Sequence, residues 1–417
     1  VHTYIPLAGV HGFAPGTAAP IVKGDNMKLV THGKFAAISA GLAAAAFGAQ
    51  AAGLDEIPQD VQQRLYAKDN LDPAQPIGQS AWRDFKPKKG PPWTIGYASS
   101  YAGNTWRAAA MDRLQNELIP KWKKLGLVKD VVITQSNLKD STQIQQMRQL
   151  VDQGVDAILV CCSNPTALNQ TVKYAYDKGV PVFSFTGYLT SPYAVNSSVN
   201  YQHAGRELGR WMGEQAGKKG NILNVQGIAG TSGSDSQDRG IKAGLAEYKD
   251  IKVVGDVVGM WTDQVAQAEV QKWLATNPVQ LDGVVVQSAA ELGVLRALKQ
   301  SGRKMPPVAI GGEIGALCYW RKNPTYITTA IQVWPPGDDI ELSWNIMMRT
   351  LQGQGPKMQS VLVDPIRLSY EDIKKYVPEN CSEDSDKWLN VGIEKWGGAT
   401  YLDKFFLRPA DPEKFKP

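Results

Sequence analysis

From Trp93 onward, short apolar runs rich in β-branched residues alternate with stretches of helical period, and few architectures accept that order. "WTIGYAS", "DVVITQS", "VDAILVCCS" and "VPVFSFTG" are spaced by "WRAAAMDRLQNELIPKWKKLG", "STQIQQMRQLVDQG" and "PTALNQTVKYAYDKG". A strand apolar on both faces must be covered on both faces, and the helices between such strands provide the cover, so a parallel sheet is expected. The pattern restarts at "HAGRELGRWMGEQAG" and runs through "NILNVQGIAG", "SQDRGIKAGLAEY", "KVVGDVV", "DQVAQAEVQKWLATNP", "LDGVVVQS", "AELGVLRALKQSG" and "PPVAIGGE". The expected class is α/β, with two Rossmann-like lobes, each a parallel sheet with helices on both faces. A chain of 417 residues, 43% hydrophobic, is long enough to bury two such cores.

Open parallel sheets bind ligands beyond the carboxyl ends of their strands. Those ends read "SSYAGNTWR", "CSNP" and "FTGY" in the first module and "GIAGTSGSDSQDR", "GMWTDQ", "VQSAAE" and "GGEIG" in the second, with a return through "TTAIQVWPPGDD". They gather Asn104, Arg107, Asn164, Arg239, Gln287, Glu313 and Gln332 together with Trp106, Trp261 and Trp334. Amides and guanidinium groups hold fixed donor and acceptor geometry, and indoles offer flat apolar faces. A polyhydroxylated ligand needs that mixture, because each hydroxyl buried without a partner costs about 1–3 kcal/mol.

Other functions lack support. The net charge is +5, and no dense basic stripe interleaves with aromatics, which argues against a nucleic-acid partner. No Walker loop, GxSxG or HExxH is present, so no enzyme, cofactor or metal is expected. Of the four cysteines, Cys161 and Cys162 read as buried thiols. Cys318 and Cys381 either pair or remain free, since sequence does not give their separation.

Residues 27–51, "MKLVTHGKFAAISAGLAAAAFGAQA", carry a basic leader, an apolar run and a small-x-small site, the layout of a signal peptide. Residues 1–26 then read as a start placed too early, with an exported mature chain beginning near Ala52. Residues 52–92 are rich in Pro, Asp, Gln and Lys without a clear period, and are expected as a leader draped on the surface.

The stretches "VQGIAGTSGSDSQDRG" and "GNTWR" carry a resemblance that extends from about Trp93 to about Val363. Here the chain resembles periplasmic substrate-binding proteins of the ribose-binding type, the receptor component of ATP-driven (ABC) sugar importers. The resemblance implies a monomer in the periplasm whose hinged lobes close on a sugar or polyol and deliver it to an ABC permease in the inner membrane. It assigns Asn104 to a sugar hydroxyl, Trp106 and Trp261 to opposing stacks, and Arg239 to reading the ligand. Arg107 stands in place of a second aromatic, and Gln287 or Ser288 at a strand-end amide. Glu313 falls on a cleft Asp and Gln332 on a hinge-proximal Gln. Thr186-Gly187 replace an Asp-Arg clamp of many pentose and hexose binders, which points to a retuned pocket. The implied lobes are 93–198 plus 333–357, and 199–332 plus 358–417 with a C-terminal extension. Chain crossings are expected near Ser197–Asn200, Gln332–Trp334 and Lys357–Val361. A chemoreceptor or quorum-signal receptor of the same fold is the alternative reading, and a carbohydrate-active enzyme a weaker one.

Overall fold

A computed structural model describes residues 53–161, 164–326 and 331–416; the expected signal peptide, the segment before it and Cys162 lie outside the described residues. The strands, numbered along the chain, are β1 (Trp93–Ser99), β2 (Val128–Gln135), β3 (Ala157–Val160), β4 (Val182–Phe185), β5 (Ala194–Val199), β6 (Lys219–Gln226), β7 (Asp250–Val258), β8 (Gly283–Val286), β9 (Ile331–Val333), β10 (Ser360–Val363) and β11 (Ile366–Leu368). The first sheet has the order β10-β5-β4-β3-β1-β2, and every neighbouring pair in it is parallel. The second has the order β7-β6-β8, also parallel, and a single parallel bridge from Val308 to Val284 extends it. β9 and β11 form a short antiparallel ribbon. Central strands β3, β4 and β8 are buried throughout. The edge strands β2 and β7 are half exposed, whereas the edge strand β10 is buried throughout.

In the second lobe the helices Tyr201–Gln215 and Ser232–Leu245 cross at unusually short range, and glycine makes the approach possible. A Cβ on Gly205 would lie 2.2 Å from the Gln237 carbonyl oxygen, and one on Gly209 2.3 Å from that of Ile241. From the other side, Gly240 and Gly244 stand in the same relation to the Gln202 and Arg206 carbonyls, at 2.1 and 2.2 Å. The crossing thus fixes the height and phase of the helix that follows "GIAGT".

Two sequence-based expectations change. The leader does not lie on the surface: Val61, Leu65, Tyr66 and Trp82 are buried in the core of the first lobe. Its reason for folding inward is β10, an edge strand with backbone groups to satisfy. Tyr66 donates to the Ser360 carbonyl at 2.7 Å and accepts from Leu362 N–H at 3.0 Å. Ser80 N–H bonds the Lys357 carbonyl at 3.0 Å and Gln359 N–H bonds Gly78 at 2.8 Å.

The boundary at 357/358 also moves. β10 pairs with β5 in the first sheet, so the third crossing follows Val363 and leads into β11. The tail is then shared between lobes. The helix Tyr370–Tyr376 packs on the second core, whereas Leu402, Phe405 and Phe406 are buried in the first. Between them the chain crosses a fourth time. Leu389 N–H bonds Gly312 at 2.9 Å, and Val391 and Gly392 N–H both bond Asp338 at 3.0 Å, in the helix Pro336–Leu351 of the first lobe. Cys318 and Cys381 form a disulfide with Cα atoms 5.8 Å apart, which ties the tail to the helix Ile314–Lys322. Cys161 is a buried free thiol.

Candidate functional site

The carboxyl ends of both sheets face each other across a cavity of about 60 Å³. Asn104, Trp106, Arg107 and Thr186 line it from the first lobe; Gln237, Trp261, Ser288 and Ala289 from the second; Tyr201 and Trp334 from the crossing segments.

On the first wall, Asn104 caps the helix Thr105–Arg113, its Oδ1 accepting from Arg107 N–H at 2.8 Å. Its Nδ2 reaches across the cleft to the Trp261 carbonyl at 2.9 Å, so the lobes stand closed on one another. Trp106 is pinned by its indole N–H to the Trp334 carbonyl at 2.9 Å. The Arg107 guanidinium is buried, 5.0 Å from the Trp106 ring centre and 5.3 Å from that of Phe185. It donates to Thr186 Oγ1 at 2.7 Å. This cation between two rings occupies space in a wall that a ligand's ring would otherwise share.

Three lining residues sit in left-handed backbone conformations: Thr186 at φ 54°, Trp261 at φ 52° and Ala289 at φ 61°. For side chains with a Cβ, and for β-branched Thr above all, such a backbone costs on the order of 1–3 kcal/mol. Each follows a strand end, where a left-handed residue turns the chain sharply. Gly227 makes room for the result: a Cβ there would lie 2.1 Å from the Trp261 indole.

The remaining predicted residues are placed elsewhere. Arg239 does not face the cavity. It is half exposed and pairs with Asp72 of the leader, which also accepts from Ser236 and from Tyr188 Oη. Gln287 is an internal brace, accepting from Gly227 N–H and Ser234 Oγ, both at 2.8 Å, and donating to the Ser234 carbonyl at 3.1 Å. Glu313 stands at the N-cap position of the helix Ile314–Lys322 without a side-chain cap bond and packs beside Asp263 and Glu291; burial and those two neighbouring carboxyl groups raise its pKa. Asn164 folds into a local turn, accepting from Thr166 and Ala167 N–H. Gln332 lines a small deeper extension of the cavity and donates to the Ala204 carbonyl at 2.9 Å.

Gln237, Tyr201 and Ala289 are lining residues that the sequence reading missed, and Gln237 is the one exchanged for a predicted neighbour, Arg239. Helical positions advance by 100° each, so 237 and 239 lie about 200° apart. The cue was available: Gly233, Gln237, Gly240, Ile241 and Gly244 share the face that packs inward, and position 239 is off it. The helix also begins at Ser232, capped by Thr231, a full turn earlier than expected.

Two buried carboxyls carry a pH consequence. Burial, with a contribution from Asp263, pushes Glu291 up to about 7. Burial likewise pushes Asp339 up to about 7, against the pull of Arg107. Each holds its proton more tightly when folded, so its stabilisation is full below the ordinary carboxyl range and is lost as pH rises through about 7. Burial depresses His203, which acts in the opposite sense below 6.5, so pH 6.5 to 8 isolates the carboxyls. Over that window these two groups should lower stability by roughly 1.5 kcal/mol, Glu313, pushed up to about 10, adds to the fall, and the melting temperature should drop by a few degrees. A flat or rising melting temperature would contradict the burial of these groups.

Two parallel-sheet lobes, linked by repeated crossings and closed on a polar cavity walled with indoles, define a two-lobed ligand-binding protein of the hinged-cleft class. Residues 95–355 match the family model of the periplasmic binding protein domain, and the chain belongs to that family. It is 34% identical over 242 residues to the xylitol-binding protein of Mycolicibacterium smegmatis, covering 57% of this chain and 68% of that one. To the galactofuranose-binding protein YtfQ of Escherichia coli it is 22% identical over 309 residues, 72% of this chain and 93% of the relative. The fold is that of an ABC transporter solute-binding protein from Thermobispora bispora, with a TM-score of 0.65, 22% identity and coverage of 73% and 93%.

Proposed function

We propose that this protein binds a neutral sugar or polyol in the interlobe cavity, outside the cytoplasm, and delivers it to an ABC-type permease. The observation that carries the reading is a set of stranded polar atoms. Gln237 Nε2, Ser288 Oγ and Trp334 Nε1 are buried, line the cavity and have no hydrogen-bond partner among the described residues. Buried polar groups are nearly always satisfied, so donors left open beside indole faces call for a ligand with hydroxyls and C–H surface.

Closure follows from the same geometry. A ligand that bonds Gln237 and Ser288 on one lobe while touching Trp106 and Arg107 on the other makes its full set of contacts only when the lobes meet. It therefore shifts the population toward the closed form, whose surface a permease reads. The xylitol-binding relative puts five-carbon polyols first among candidates.

The test is thermal shift and intrinsic Trp fluorescence against pentoses, hexoses, pentitols, hexitols and their acids. At least one neutral member should raise the melting temperature and perturb the Trp signal. No response from any of them, in folded and ligand-stripped protein, would remove the assignment.

A further inference from the structure

The cavity continues inward to a pocket of about 10 Å³, lined among others by Gln237, Ser288, Glu291, Gly311, Gln332 and Trp334. That volume admits one water-sized group and no more. Five polar atoms in its walls lack a hydrogen-bond partner among the described residues: Gln237 Nε2, Ser288 Oγ, Glu291 Oε1, Gln332 Oε1 and Trp334 Nε1. All five side chains are at least nine-tenths buried, with Glu291 at 0% exposure. Gln237 and Trp334 offer N–H donors, Gln332 and Glu291 offer oxygens, and Ser288 offers either.

Glu291 is the unexpected member. It opens the helix Glu291–Gln300, and its Oε2 accepts from Ala290 N–H at 3.1 Å. Its Oε1 lies over Gly311, where a Cβ would come within 2.2 Å of it and 2.6 Å of Ser288 Oγ. Any side chain at 311 would displace the carboxylate, so the glycine keeps that oxygen at the pocket. Asp263 and Glu313 pack behind it, and with Glu313 pushed up to about 10 the charge that faces the pocket at pH 8 is that of Glu291.

We propose, building on the sugar or polyol reading above, that this inner pocket receives one terminal hydroxyl of the ligand and that Glu291 makes the protein reject sugar acids. A hydroxyl both donates and accepts, which matches a wall that holds both kinds of atom. A carboxylate at the same place accepts only and meets the oxygens of Glu291, ionised at pH 8, and Gln332. In so small and dry a pocket that repulsion is poorly screened. Arg107 does not offset it, since its guanidinium is directed to Thr186 and lies between the Trp106 and Phe185 rings.

The experiment is calorimetric titration at pH 8 with matched pairs, each a neutral compound and the acid formed by oxidising its terminal carbon. The pairs are xylitol with xylonate, ribitol with ribonate, D-glucose with D-glucuronate, and D-galactose with D-galacturonate. For whichever neutral compound binds, the wild-type protein should prefer it over its acid by at least about 100-fold. In Glu291→Gln that preference should shrink at least about tenfold. Glu291→Met, which removes the carboxyl at similar volume, gives the same test if the first variant does not melt cooperatively. An acid bound as tightly as its neutral partner, or a preference unchanged in the variants, overturns the role of Glu291 while leaving the binding function standing. If none of the four neutral compounds binds, the neutral ligand found in the thermal-shift panel is paired with its own acid in their place, and absence of any ligand in that panel overturns the binding function itself, and this inference with it.

Discussion

Gln237→Ala should weaken binding of the best neutral ligand by tenfold to a hundredfold, whereas Arg239→Ala should change it by no more than about fivefold. The magnitudes follow from the two environments. Gln237 is 1% exposed, faces the cavity, and has a donor with no partner among the described residues. Removing it deletes a bond to the ligand inside a desolvated site and leaves a ligand hydroxyl unsatisfied, at about 1–3 kcal/mol. Arg239 has a side chain 48% exposed and pairs with Asp72 of the leader, outside the cavity lining, so no bond to the ligand is lost with it. Asp72 also keeps Tyr188, Ser236 and Ala74 N–H as donors when the arginine is gone. Titration of the two variants with the same ligand decides the matter. A larger loss in Arg239→Ala would restore the residue that the family resemblance assigned and remove Gln237.

Gly240→Val should lower stability by at least ~2 kcal/mol and the melting temperature by about 2 °C or more, with ligand affinity falling alongside. A Cβ at 240 would stand 2.1 Å from the Gln202 carbonyl oxygen. That atom is backbone, so no side-chain rotation relieves the overlap and the two helices must part. The same helix carries Gln237, one turn before Gly240, so spreading the crossing moves the ligand contact as well. Gly90→Ala is the control, because nothing lies within 4 Å of a Cβ there, and its stability should stay within about 0.5 kcal/mol of wild type. Equal melting temperatures for Gly240→Val and wild type would show that the crossing is looser than described.

The strand and helix order was legible because it depends on local periodicity. Continuous apolar runs marked β3, β4 and β8, and strand ends marked Asn104, Trp106, Arg107, Thr186, Trp261 and Ser288, which the fold brings to one cavity. Two kinds of fact escaped. One is helical phase: Gln237 and Arg239 lie about 200° apart on one helix, and the close crossing at Gly205 and Gly240 decides which of them looks inward. The other is long-range partnership. Asp72 meeting Arg239, and Gln287 meeting Gly227, join residues that no local pattern connects. The leader was misread for a related cause. Its few apolar residues, Val61, Leu65, Tyr66 and Trp82, follow no sheet or helix period long enough to stand out. They are buried because β10 supplies an edge to cover.

The fourth crossing of the chain bears on what binding costs. Trp388 forms a bridge with Glu313 in the second lobe, and its indole N–H reaches Thr105 Oγ1 at 2.9 Å in the first. A protein whose lobes are joined only at a hinge spends part of its binding free energy on reaching the closed form, and its apparent affinity is reduced by the fraction already closed. Bonds that span the lobes outside the cavity, as Trp388 to Thr105 does, favour the closed form independently of what the cavity holds. The tail therefore trades amplitude for affinity. Such a receptor captures scarce solute tightly, and the empty and loaded forms differ less in shape for a permease to tell apart.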